Sequence, residues 1–252
     1  SVLLPMGSGY SLCISTQVGC PVGCPFCATG KMGFYRNLTA GEIVEQYRLV
    51  ARRFTDGSIQ RLVFFGMGEP FLNYHQVKKA LSILMDDAGA NFSRRKITIS
   101  TVGIRPFLKE WMKEGPEVNL AVSLHTTNPE LRQKLIPFPG CYPLDQLIEL
   151  LKRYSQGRGK QRQIMIEYVL LKGVNDSKEE ARRLAQLLHR VYGKVNVIPY
   201  NPVPDGGYRT PAGDEVWEFV QEIRRNGYPA YIRESKGLEI SGACGQLIRT
   251  YG

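Results

Sequence analysis

Four of the six cysteines in this 252-residue chain, Cys13, Cys20, Cys24 and Cys27, fall within fifteen consecutive positions. The last three form a C-x3-C-x2-C run, and the prolines and glycine between them keep the segment from becoming a helix. Soft thiolates at this spacing can surround one metal centre and select zinc or iron–sulfur over hard cations. A structural zinc takes a fourth ligand, and the nearest histidine, His75, is far downstream. The run therefore favours an iron–sulfur site, with zinc and unligated cysteines as alternatives.

The charge balance indicates a polyanionic partner. Lys and Arg number 33 against 23 Asp and Glu, which gives a net charge of +10 and a pI near 9.4. Such an excess favours nucleic acid, although solvated helix faces of a basic protein give the same count. No apolar run approaches the roughly 18 residues that cross a bilayer, so no membrane association is expected. The first residues do not resemble a secretory signal, which predicts a cytoplasmic, thiol-preserving location.

Short β-branched runs alternate with amphipathic segments of helical length. A helix over 39–54 is predicted to begin at Thr39, because Glu42 three residues later completes a capping box. Two further helices are predicted over 143–154 and 178–192 from apolar residues at three-to-four spacing. The candidate strands are 12–16, 61–66, 96–101, 119–125, 163–171, 194–200 and 229–235. This alternation predicts one α/β domain with a parallel sheet, as either an incomplete barrel or an open doubly wound sheet.

Several segments in order carry a resemblance to a known family. The run Cys20-x3-Cys24-Pro-Phe-Cys27 resembles the cluster motif of radical S-adenosylmethionine (SAM) enzymes. The segments CISTQVGC, GMGEPFLN, ITISTVGI, AVSLHTTNPELRQKLIP, IEYVLLKGVND, IPYNP and ACGQL are together similar to radical-SAM RNA adenosine methyltransferases, the RlmN and Cfr group.

The resemblance implies a radical-SAM core with an incomplete (β/α)6-type TIM barrel. We expect a single catalytic domain over 1–252, in which 234–252 form a C-terminal tail, and a monomer. Relatives carry an amino-terminal accessory domain that helps to dock RNA, and this chain has no residues for it.

The same resemblance assigns the cofactors and their ligands. Cys20, Cys24 and Cys27 would hold a [4Fe-4S] cluster whose open iron binds SAM. The residues that match SAM contacts are Phe26, Gly68, Glu69, Ser100, Ser123, Leu124, His125 and Asn201. Without the resemblance, Phe26 is as well explained by core packing, and His125 is better explained as a structural histidine. Glu167, a buried acid by its pattern, receives no role.

Two cysteines outside the run match family residues that perform covalent chemistry. Cys244 would be methylated by one SAM, and the radical from a second SAM would abstract hydrogen from that methyl. The methylene would then bond to an adenine carbon. Cys13 would remove the proton from that carbon, and a disulfide would resolve the protein–RNA link. Cys141 matches no family position and is interpreted as an incidental thiol.

The expected activity is methylation of an adenine carbon, C2 in preference to C8, in 23S rRNA and as an open alternative also in tRNA. Flavodoxin or ferredoxin is the expected electron donor. Two other functions stay open. One is a radical-SAM enzyme that acts on a protein or small molecule, and the other is a non-catalytic zinc-binding module that interacts with RNA.

Overall fold

The computed structural model describes residues 1–54, 58–158, 163–204 and 206–248. Its main feature is a sheet of eight strands in the order β1-β2-β5-β6-β7-β8-β9-β10. These strands are β1 (Val2–Met6), β2 (Gly9–Cys13), β5 (Ile59–Phe64), β6 (Ile97–Thr101), β7 (Asn119–Ser123), β8 (Ile164–Leu170), β9 (Gly193–Pro199) and β10 (Ala230–Ile232).

The sheet curls into a half-barrel. Strand β1 pairs antiparallel with β2, and every later pair, from β2 with β5 to β9 with β10, is parallel. The parallel strands follow one another in chain order, whereas a doubly wound sheet reverses direction at a switch point. The prediction of an incomplete barrel is confirmed, and the doubly wound alternative is wrong.

Eight α-helices occur in the described part of the chain. They are α1 (Ala28–Lys31), α2 (Ala40–Ala51), α3 (Tyr74–Met85), α4 (Phe107–Glu114), α5 (Pro129–Leu135), α6 (Leu144–Arg158), α7 (Lys178–Leu188) and α8 (Gly213–Arg225). The predicted capping box at the start of α2 is present, since Thr39 and Glu42 each accept a hydrogen bond from the other's backbone. No helix among the described residues is both long and apolar enough to cross a bilayer.

A second, two-stranded antiparallel sheet interrupts the alternation between β2 and α2. It pairs β3 (Gln17–Gly19) with β4 (Phe34–Asn37), and the chain between them carries the C-x3-C-x2-C run and α1. We call β3 and β4 together the hairpin. The sequence did not predict it.

The core lies between the curled sheet and the helices around it. Its largest fully buried side chains include Trp111, Tyr168, Phe64, Phe71 and Phe219. Most residues of the central strands are buried, as expected for parallel strands covered by helices. The packing fixes the carboxyl ends of the strands, from which the loops of the candidate site emerge.

Candidate active site

A pocket opens at the carboxyl ends of the strands, where residues 20–27, here called the cysteine loop, meet the ends of β5 to β9. We call it the rim pocket. It has about 890 Å³ of empty space including its open mouth, which is enough for a cofactor. The predicted site residues that line it are Cys20, Cys24, Phe26, Cys27, Gly68, Glu69, Ser100, Ser123, His125, Asn201 and Cys244. Only Cys13 and Leu124 of the predicted set are not among its lining residues.

The cysteine loop is a compact turn around three thiols. A Cβ on Gly30 of α1 would lie 2.8 Å from the backbone nitrogen of Cys24, so the loop packs closely against that helix. Burial raises the pKa of the Cys20 thiol to about 12, and burial and the charges of Cys27 and Cys20 raise that of Cys24 well above its ordinary value. These mutual effects place the three sulfurs near one another. Ligation by iron would displace their protons.

The donor set fits an iron–sulfur cluster. Among the described residues, no three His, Cys, Asp or Glu side chains are close enough together to bind a single metal ion. Zinc holds sulfur ligands about 2.3 Å from one centre. A cluster is larger, because each cysteine ligates a different iron. Three thiols spread over one pocket therefore suit a cluster better than a zinc ion.

A buried guanidinium supplies positive charge beside the loop. Arg132 of α5 is 5% exposed and donates hydrogen bonds to the carbonyl oxygens of Val102 (2.8 Å) and Tyr142 (3.3 Å). No hydrogen-bond partner for its Nε occurs among the described residues. The negative charges of Cys141 and Cys24 oppose the lowering of its pKa by burial. A negatively charged cluster at Cys24 would be stabilised by this cation.

Glu69 is a buried acid at the end of β5. It is 4% exposed, and its carboxylate accepts hydrogen bonds from the backbone N–H groups of Phe71 (3.0 Å) and Val102 (2.9 Å). Burial raises its pKa to about 7 despite these donors. The preceding Gly68 has φ +101°, and a Cβ there would lie 2.5 Å from the Cβ of Gln17. The segment thus presents a carboxyl group that a cationic ligand would hold ionised.

His125 is a neutral imidazole at the end of β7. Burial, with the charge of Arg132, lowers its pKa to about 3. Its Nδ1 accepts a hydrogen bond from the Val169 N–H (3.1 Å), so the ring proton resides on Nε2. Phe26 packs edge-on against the imidazole, with ring centroids 5.0 Å apart. Both rings line the rim pocket, so each has a packing role and also faces the space a ligand would fill.

The C-terminal tail is anchored to the cysteine loop. Ala28 N–H donates to the Gly245 carbonyl (2.7 Å), and Asn201 Nδ2 donates to the Cys244 carbonyl (3.0 Å). Thr29 also donates through its hydroxyl to the Leu247 carbonyl. These bonds hold Cys244 at the mouth of the cysteine loop. Residues 249–252 of the predicted tail lie outside the described residues.

Cys244 also lines a second pocket, here called the interior pocket, which lies inside the half-barrel. Glu167, from the middle of β8, lines both pockets and forms an ion pair with Arg233 (3.3 Å). The pKa of Arg233 is raised above its ordinary value by the charges of Cys244 and Glu167, and also by that of Cys13. Neither Glu167 nor Arg233 received a role from the sequence.

Cys13, at the end of β2, lies near Cys244 behind the pocket wall. It is buried, and burial together with the charge of Cys244 raises its pKa to about 12. All six cysteines are free, so the expected disulfide is not a feature of this structure. Cys141 is a buried thiol beside Arg132 and Cys24. Leu124 is fully buried in the core, and its backbone N–H bonds to the Glu167 carbonyl (3.0 Å), so only its main chain reaches the site.

Comparisons with known proteins agree with this geometry. The profile of the radical SAM superfamily matches residues 14–185. The chain is 46% identical over 254 aligned residues to the dual-specificity RNA methyltransferase RlmN of Anaeromyxobacter sp., covering 98% of this chain and 67% of that protein. It is 44% identical to the probable dual-specificity RNA methyltransferase RlmN of Aquifex aeolicus, covering 72% of it.

A solved structure shares the architecture. The radical SAM methyltransferase from Sphaerobacter thermophilus superposes with a TM-score of 0.92 at 44% identity, over 97% of this chain and 72% of that one. A half-barrel with a three-cysteine loop at its rim is the core of the radical SAM superfamily, to which the matched profile assigns this protein. Within that superfamily, the chain belongs to the RlmN family of RNA methyltransferases. Its cofactors are accordingly a [4Fe-4S] cluster and SAM.

Proposed function

We propose that this protein methylates an adenine carbon in RNA and uses Cys244 as the carrier of the methyl group. The observation that carries the proposal is the place of Cys244. Its side chain lines both the rim pocket and the interior pocket, with Cys27 on one side and Cys13 behind. A carrier that first meets SAM and then meets the base must face two compartments.

The rim pocket holds the cofactors in this proposal. Cys20, Cys24 and Cys27 ligate the cluster, and when bound, the cluster and SAM supply the radical that activates the methyl group. Glu69 accepts the methionyl ammonium, and His125 offers its Nε2–H to the pocket. The other SAM contacts are Phe26, Gly68, Ser100, Ser123, the backbone of Leu124, and Asn201. The buried carboxyl and the neutral imidazole support this assignment.

The interior pocket receives the target base. Its lining includes Glu167, Asn196 and Arg233, whose donors and acceptors suit the edge of a nucleobase. An adenine must leave its stack to reach this depth, because the pocket lies inside the half-barrel. Cys244 stands between this space and the rim pocket, as transfer from sulfur to carbon requires.

Cys13 completes the reaction. After the methylene bonds to the adenine carbon, the Cys13 sulfur removes the proton from that carbon, and a transient disulfide with Cys244 releases the RNA. A thiolate is needed for both tasks, and Arg233 supplies positive charge to both cysteines. The free thiols of the structure are the starting state for this sequence of events.

The finer assignments follow the relatives. We place the methyl on C2 rather than C8, because the relatives are named RlmN, and we propose 23S rRNA and tRNA as substrates because those proteins are described as dual-specific. Residues 1–252 act as one catalytic domain and as a monomer. The electron donor is flavodoxin or ferredoxin, and RNA substrates with free thiols place the reaction in the cytoplasm.

Nucleoside mass spectrometry tests the proposal. Reconstituted protein, SAM and a strong reductant are incubated with total rRNA and, separately, with tRNA, and the digested nucleosides are compared with C2- and C8-methyladenosine standards. We expect C2-methyladenosine in both RNA classes. A modified protein or small molecule with unmodified RNA would instead support a radical-SAM enzyme of another kind.

A further inference from the structure

The hairpin displays two aromatic side chains beside the cysteine loop. Phe34 is 47% exposed and Tyr35 is 53% exposed, and all four residues of β4 are exposed. Large aromatic side chains at the surface of a strand leave apolar area in water, and a pair of them indicates a contact surface.

The position of the hairpin is fixed relative to the cluster ligands. β3 ends at Gly19, immediately before Cys20, and the Cys20 N–H donates to the Gly33 carbonyl (2.9 Å). Phe34 pairs across the hairpin with Gly19, where a Cβ would lie 1.9 Å from the Gly33 oxygen. No side chain can therefore stand at that cross-strand position, and the Phe34 ring stays uncovered from that side next to the rim pocket.

The base of the hairpin is rigid. Gln17 Nε2 donates to Asn37 Oδ1 (2.8 Å), and the Leu38 N–H donates to the Thr16 carbonyl (3.0 Å). Arg36 forms an ion pair with Glu42 at the start of α2 (2.8 Å). Phe34 and Tyr35 are adjacent in a strand, so they face opposite sides of the hairpin. The hairpin thus presents two aromatic faces at a defined place.

We propose that Phe34 and Tyr35 form a stacking platform for unpaired RNA nucleotides that flank the target adenine. This inference rests on the proposed RNA substrate. RNA bases in loops are recognised by stacking on aromatic side chains, and a base drawn out of its stack leaves neighbours that need new partners. The platform lies beside the pocket that the carrier Cys244 faces, and the chain's charge of +10 attracts the RNA backbone.

Equilibrium binding to a stem-loop RNA with an unpaired adenine in its loop tests the platform, with Phe34→Ala, Tyr35→Ala and the double variant. We expect about tenfold weaker binding for each single variant and about a hundredfold for the double variant. The salt dependence should stay as in the unmodified protein, because no phosphate contact is removed. Phe34→Trp should restore the affinity.

Trp217→Ala is the matched control. Trp217 is 52% exposed on α8 and stands beside Arg224, so it is an equally exposed aromatic outside the proposed platform. Its removal should leave RNA affinity unchanged. Equal loss in this control, or unchanged affinity in the double variant, would overturn the platform.

Methylation of Cys244 separates this inference from the function on which it rests. The mass of the Cys244 peptide after incubation with SAM and reductant needs no RNA, so the double variant should be methylated as fully as the unmodified protein. Failure of methylation in the unmodified protein would refute the carrier role itself. If the double variant binds RNA normally but loses reduction by flavodoxin, the surface docks a protein and our inference is wrong.

Discussion

At the scale of the residue, the site depends on ionisable groups that the fold removes from water. Glu69 is the clearest case, since burial raises its pKa from 4.5 to about 7. Between these values the folded protein binds a proton at Glu69 that the unfolded chain does not bind. Stability therefore decreases as pH rises through this window, because the charged form is the one that burial penalises.

Glu69→Gln should remove that pH dependence. In cluster-free protein, we expect the unfolding free energy of this variant, relative to the unmodified protein, to rise by about 1–3 kcal/mol from pH 5 to pH 8. Urea unfolding at several pH values measures it, and His125 affects both proteins equally. Curves that run parallel across the range would show that Glu69 titrates normally.

The three cysteines of the loop should differ from their buried neighbour in iron binding. Protein purified without oxygen should be brown and contain about four irons per chain. Cys27→Ala should abolish the iron, whereas Cys141→Ala, a change at a buried thiol near Cys24, should retain it. Iron and labile sulfide analysis measures both. Stoichiometric zinc without sulfide would contradict the radical interpretation.

Much of the site was predictable at this scale because its residues lie in short, ordered motifs. Eleven of the thirteen predicted site residues line one pocket. Glu167, Arg233 and Arg132 were missed, because their roles arise from partners far away in the sequence. Glu167 meets Arg233 across the half-barrel, and no local pattern reports such a pair.

At the scale of the element, the loop after β7 that carries His125 is held by one buried carboxylate. Glu180 of α7 accepts hydrogen bonds from the Thr126 hydroxyl (2.9 Å), from the backbone and hydroxyl of Thr127, and from Arg183 (3.1 Å). Burial alone would raise its pKa, but these donors outweigh it and lower the pKa. The helix is thereby tied to the loop at the rim.

Glu180→Gln should loosen that connection. An amide cannot accept all of these bonds, so we expect a loss of about 1–3 kcal/mol in unfolding free energy by urea denaturation. The control is Glu179→Gln, which changes an exposed neighbour whose ion pair with Arg182 spans 3.7 Å. That variant should change stability by less than about 0.5 kcal/mol. Equal effects would place the stabilisation in helix charge instead of in the buried network.

The sequence predicted the strands well and other elements unevenly. All seven predicted strands occur, although the first lies at Gly9–Cys13 instead of 12–16. The three named helices are present, and α3 was missed even though Val77, Leu81 and Leu84 form an apolar stripe. The hairpin was missed because each strand has only three or four residues and the pairing closes across the cysteine loop.

At the scale of the whole molecule, the half-barrel brings two distant cysteines to one place. Cys13 ends β2 near one edge of the sheet, while Cys244 arrives on a tail after the last strand at the other edge. Curling of the sheet and the bonds between tail and cysteine loop bring them together. The proposed reaction requires this arrangement, since the carrier and the proton acceptor must act on one adenine.

The most direct test of this account is a denaturing gel of RNA incubated with SAM, reductant and either Cys13→Ala or Cys244→Ala. Without Cys244 no methyl carrier forms, so the RNA should migrate unchanged. Without Cys13 the methylene should still bond to the base, but the proton stays and the link cannot resolve. We predict a slow-migrating, nuclease-sensitive adduct with Cys13→Ala alone. Normal RNA methylation by both variants would contradict the account, because Cys13 and Cys244 would then be structural.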